Sequence, residues 1–107
     1  MNKQGHHYWI ERLRAGETVS FREKGNSMVP RIKSRQKCTY APVGANTPLK
    51  KGDMVFCKVG GMFTTHLISA IRGEGEKATY QISNNHGHVN GWVSRDCIFG
   101  IVIQVED

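Results

Sequence analysis

A chain of 107 residues, 38% hydrophobic and 22% charged, has the length and balance of one globular domain, able to withdraw roughly 65% of its unfolded surface from water. That length excludes two such cores, and no stretch approaches the ~20 consecutive apolar residues of a membrane helix. Fifteen Lys and Arg against nine Asp and Glu give a net charge of +6, which favours an acidic partner through long-range attraction without naming one.

The first seven residues are polar and lack the apolar core of a secretory signal, so a cytoplasmic protein is expected. Trp9, Ile10 and Leu13 then recur at helical spacing, and Gly16 stands where a helix would end. One short helix over Tyr8 to Ala15 is predicted. After it the period changes. Thr18 to Arg22 alternates as a half-buried strand does, and Lys37 to Val43 reads as a second strand.

Gly44 to Lys51 is a loop by composition, and Lys51-Gly52-Asp53 turns into the strand Met54 to Val59. Gly60-Gly61 closes that strand into a hairpin with Met62 to Ile71. A Gly/Glu turn, Arg72 to Lys77, precedes a strand over Ala78 to Ile82. Ser83 to Gly91, rich in Asn, Gly and His, reads as an irregular loop, and Ile98 to Val105 reads as the closing strand. The chain is expected to be a single, mostly β domain, with an arm and helix over 1–16 and a core over 17–107.

Cys38, Cys57 and Cys97 are an odd, widely spaced set with no C-x-x-C pair, which argues for reduced thiols and against a zinc site. Lys24, Arg31, Lys33, Arg35 and Lys37 crowd one segment. They form either a solvated loop face or a patch for an acidic partner or a nucleic-acid backbone.

Composition does not explain Gly25-Asn26-Ser27-Met28-Val29-Pro30. Gly25 frees the backbone ahead of Ser27 while Pro30 biases Val29 to extended geometry, so Ser27 is expected at a constrained bend with its hydroxyl outward. A serine in a bend is an ordinary turn unless a base serves it. His66 is the candidate: a neutral imidazole is well matched to taking a serine proton near neutral pH.

G-x-S-M-x-P resembles the nucleophile box of signal peptidases and of the self-cleaving LexA-type repressors. Leu49-Lys50-Lys51-Gly52-Asp53-Met54-Val55 is similar to their L-x-x-G-D-x-V strand opening. Thr65-His66-Leu67-Ile68 stands where the family places its catalytic lysine or, in signal peptidases of the endoplasmic reticulum and archaea, a histidine. Ile82-Ser83-Asn84-Asn85, Asn90-Gly91-Trp92 and Arg95 to Val102 resemble the G-D-N loop and the closing G-x-V strand.

The resemblance covers about Gly16 to Val105 and implies a LexA/signal-peptidase-like β-fold with Ser27 as nucleophile and His66 as general base. It implies an oxyanion hole from the backbone N–H groups of Asn26 and Ser27, with Met28 packed beneath. No metal or cofactor is implied. The family's orienting aspartate is replaced here by Ser83-Asn84-Asn85. Asn84 or Asn85 is then the candidate to orient His66, or the site works as a dyad. Asp53 and Asp96 read as turn caps, and His86 and His88 as solvated loop residues.

The expected function is cleavage of a peptide bond in a protein or peptide substrate, Ala15-Gly16 being the chain's own Ala-Gly bond. A small, basic, free-standing version would suit a phage or mobile element. The alternative is a non-catalytic basic β-module of the same fold that binds nucleic acid or a protein partner.

Overall fold

A computed structural model of the chain describes residues 5–25 and 27–107. One helix, α1 (His6–Arg14), leads into strands β1 (Val19–Arg22), β2 (Lys37–Pro42), β3 (Met54–Val59), β4 (Met62–Arg72), β5 (Thr79–Ser83), β6 (Val89–Ser94) and β7 (Ile98–Glu106). They form one antiparallel sheet in the order β1-β2-β7-β3-β4-β5-β6. Among the described residues no helix is long and apolar enough to cross a membrane.

The helix ends as its sequence demands. Gly16 takes φ +89°, the Glu17 N–H donates to the Arg12 carbonyl at 3.0 Å and the Gly16 N–H donates to the Leu13 carbonyl at 2.9 Å. That pair of bonds is a Schellman stop, which a residue with a Cβ adopts only under strain. The helix buries Ile10 and Leu13, worth at most about 1.5–3 kcal/mol each.

Strand β3 explains the two-sided core. Val55, Cys57 and Val59 face one cluster with Ile68, Tyr80, Ile82 and Ile98, while Phe56 faces a second, aromatic one with Phe21, Tyr40, Phe99 and the helix. Because successive side chains alternate across a strand, a central strand covered on both faces reads as a continuous apolar run. The sheet also curls. β6 is no ladder neighbour of β3, yet a Cβ on Gly91 would stand only 3.4 Å from the Val59 side chain.

The β3–β4 hairpin turns on Gly60 and Gly61, both at positive φ (58° and 80°), with Val59 opposite Met62. This is the two-residue loop in which both central residues are left-handed. Asp53 caps its turn as expected, its carboxylate accepting from the Lys50 N–H at 2.8 Å. Asp96 sits exposed in a short 3-10 turn (Arg95–Cys97) with no side-chain capping bond.

The loop expected over Ser83 to Gly91 is shorter than its composition suggests. Residues 84–88 form the loop, and Val89–Ser94 is the edge strand β6, paired from Thr79↔Ser94 to Ser83↔Val89. Its polar residues fit an edge, where one flank meets solvent and only Val93 is buried. The cysteines are free, Cys38 and Cys57 buried and Cys97 half-buried.

Candidate active site

Between β1 and β2 the chain makes an excursion over residues 23–36. Its base is closed by the Arg35 N–H, which donates to the Glu23 carbonyl at 2.8 Å, and by the Gly25 N–H, which donates to Ser34 Oγ at 3.1 Å. Gly25 holds φ +130°, a conformation that side chains rarely adopt. Ser27 opens the turn that follows, half-buried above buried Met28. The Val29–Pro30 bond in this turn is cis, and the Ile32 N–H closes back on the Met28 carbonyl at 2.9 Å.

The loop after β5 clamps this turn from the other side. The Asn85 N–H donates to the Ser27 carbonyl at 2.9 Å, and Asn85 Nδ2 donates to the Val29 carbonyl at 3.0 Å. Asn84 shapes the clamp itself, its Oδ1 accepting from the N–H groups of His86 and His88 at 2.8 and 3.0 Å. His86 and His88 are exposed. Among the described residues no three His, Cys, Asp or Glu side chains cluster as metal ligands.

Ser27 and Met28 line a cleft of about 120 Å³ with Glu23, Lys24, Lys33, Phe63, Thr64 and Thr65 among its walls. The β4 wall has a free edge. β4 pairs β3 from Met62 onward but meets β5 only from Leu67, so the backbone of residues 62–66 has one ladder partner among the described residues. Open backbone N–H and C=O groups of this kind are where an extended peptide adds as a strand.

His66 follows that wall directly. It pairs with Val55 across the β3–β4 ladder and is 5% exposed. Its Nδ1 lies 2.6 Å from the Thr65 carbonyl oxygen and 3.0 Å from Thr64 Oγ1. A carbonyl only accepts, so Nδ1 is the donor, and a ring that carries a single proton there has its lone pair on Nε2. This is the tautomer a general base needs. The acceptor that orients the ring is therefore the Thr65 carbonyl; Asn84 Oδ1 is taken by the N–H groups of His86 and His88, and the Asn85 amide is bonded to the Val29 carbonyl of the serine turn.

The structure brings Ser27 and the Thr64–Thr65 segment to one cleft but does not join Ser27 to His66. The Ser27 hydroxyl and the His66 ring share no hydrogen bond. The expected oxyanion donor Asn26 lies outside the described residues. Ala15 ends the helix, its N–H bonded to the Glu11 and Arg12 carbonyls, so the Ala15-Gly16 bond is wound into a helix stop and not extended.

A partly buried polar chain that sequence reasoning missed underlies the cleft. The Tyr40 hydroxyl donates to Thr65 Oγ1 at 2.8 Å, Thr65 Oγ1 donates to Glu23 Oε1 at 3.2 Å, and His6 Nε2 meets Glu23 Oε2 at 2.8 Å. Burial pushes the Tyr40 phenol up, keeping it a donor. His6 is stacked on Phe63 with ring centroids 5.2 Å apart. The signal was faint: Tyr40 reads as core and Glu23 as a strand end, and nothing in their spacing pairs them.

No family model matches the chain, and no curated protein matches it either.

Proposed function

We propose that the chain is a serine peptidase of the signal-peptidase/LexA type, cutting an extended peptide held along the open edge of β4. Ser27 attacks the scissile carbonyl, and Nε2 of His66 takes the hydroxyl proton and later returns it to the leaving amine. The carrying observation is the state of His66: a buried imidazole whose Nδ1 donates to the Thr65 carbonyl, one residue beyond the Thr64–Thr65 wall of the Ser27 cleft. The Thr65 carbonyl then does in neutral form what an aspartate does elsewhere, holding the tautomer and the ring plane.

The pinned turn adds to this reading. A nucleophile profits from being held in place before the reaction, and the bonds at Gly25, Ser27, Val29 and Ile32 hold this one. In the reactive complex Ser27 Oγ and His66 Nε2 must close to hydrogen-bond distance, a contact that unliganded sites often leave long. The open bond between them is the specific observation on the side of the second reading, a non-catalytic basic module of the same fold.

The test is incubation with a complex peptide mixture, followed by mass-spectrometric identification of new termini. New termini from the parent protein, absent with Ser27→Ala and with His66→Ala, are the expected result. Identical peptide patterns from all three proteins overturn the proposal.

A further inference from the structure

Beyond Glu23, the excursion that borders the cleft carries cations and no acid. From Lys24 to Gly52 the sequence holds seven Lys and Arg and no Asp or Glu. Lys24 and Lys33 line the cleft beside Ser27, and both are exposed, as are Arg31 and Arg35 on the same excursion. Among the described residues none of these four makes an ion pair, whereas Lys37 is answered by Glu106 at 3.8 Å. The one acid in the lining, Glu23, is already engaged: Oε1 accepts from Thr65 and Oε2 meets His6. Both of its carboxylate oxygens therefore have partners within the protein, while Glu23 itself remains in the cleft wall.

Resting on the peptidase reading, we infer that the substrate is an acidic peptide segment, with carboxylates flanking the bond presented to Ser27 and meeting Lys24 and Lys33. The geometry favours a peptide over a nucleic acid in two respects. The cations border an open strand edge, which supplies main-chain bonds to an extended chain. The exposed aromatics Tyr8 and Trp92, which would stack bases, are not in the cleft lining, and Phe63, which is, is half-buried and already stacked on His6. A second carboxylate on the peptide doubles the number of pairs and also speeds encounter, an effect that salt screens over about 8 Å at physiological strength.

The experiment measures fluorescence anisotropy of short labelled peptides with the full-length Ser27→Ala protein, so that binding is read without cleavage. Three peptides share an Ala-Gly centre and differ only in their flanks, Asp/Glu, Asn/Gln or Lys; a labelled single-stranded oligonucleotide is the fourth probe. The acidic peptide should bind tightest and lose affinity as salt rises. Lys24→Gln and Lys33→Gln should each weaken it about two- to fivefold, the range of exposed ion pairs, and Lys51→Gln should leave it unchanged. Equal binding of the acidic and neutral peptides overturns the inference, as does an oligonucleotide that binds more tightly than the acidic peptide and depends on Lys24 and Lys33. Cleavage by the parent protein is scored separately. Acidic-peptide binding without cleavage removes the peptidase reading alone, and cleavage without charge preference removes this inference alone.

Discussion

The Asn85 N–H donates to the Ser27 carbonyl oxygen at 2.9 Å, so the loop beyond β5 sets the height of the serine turn above the cleft. The Asn85 side chain repeats the hold at Val29. Asn85→Ala removes that second bond and is expected to cost about 1 kcal/mol of stability. Because small misplacements of a nucleophile are expensive, kcat should fall roughly ten- to hundredfold. Asn85→Asp should be worse in thermal melting, since it points an acceptor at the Val29 carbonyl. A melt that ranks the aspartate above the alanine contradicts the clamp.

Thr65 stands between a phenol and a carboxylate, taking a bond from Tyr40 and giving one to Glu23. Thr65→Val keeps the shape and removes both bonds, leaving the buried Tyr40 hydroxyl unanswered at a cost of about 1–3 kcal/mol. Thr65→Ser should cost less. Adding Tyr40→Phe to Thr65→Val should recover part of the loss, as partners in one network are not additive. Urea unfolding of the parent, Thr65→Val, Thr65→Ser, Tyr40→Phe and the double variant measures this, and strict additivity would show that the bonds carry no coupling.

Gly100 lies where the helix meets the sheet. A Cβ there would come within 3.1 Å of Tyr40 Cβ, 3.2 Å of Leu13 Cδ1 and 3.3 Å of the Ala41 carbonyl. Gly100→Ala is expected to destabilise by about 1–3 kcal/mol through overpacking. Leu13→Ala in the same background should cost less than it does alone, because it opens room for the methyl. Equal costs in both backgrounds would refute the close contact.

Elements with a local chemical cause were legible in the sequence. Gly16 announced the helix stop, Gly60-Gly61 the hairpin, and the apolar run 54–57 the central strand. The edge strand β6 was not, because Asn90-Gly91 reads as loop and its strand character comes from pairing with β5. The site divided in the same way. Ser27 and His66 are visible as residues in boxes, but the acceptor that orients His66 is a backbone carbonyl, which leaves no mark on a sequence. The Glu23 chain was hidden because its bonds span 17, 25 and 42 residues.

Buried thiols give the fold an alkaline limit. Burial pushes the Cys57 thiol up to about 12 from an ordinary 9.0, and raises Cys38 as well. The folded state therefore holds these protons more tightly than the unfolded chain does. For Cys57 the resulting stability is whole well below pH 9.0 and falls as pH rises from 9.0 toward 12, by up to about 1.4 kcal/mol per pH unit; Cys38 acts in the same direction. Urea midpoints taken at rising pH should show this slope, and Cys57→Ala should flatten it. A slope unchanged by that substitution would assign the alkaline loss to other groups.

Whether His66 activates Ser27 is read directly by covalent labelling of the folded protein with a serine-directed phosphonate and peptide mass spectrometry. One adduct is expected on the Ser27 peptide, formed at neutral pH, abolished by Ser27→Ala and slowed at least a hundredfold by His66→Ala, the scale of a lost general base. An unmodified Ser27 peptide, under conditions that label an authentic serine peptidase, would contradict that activation.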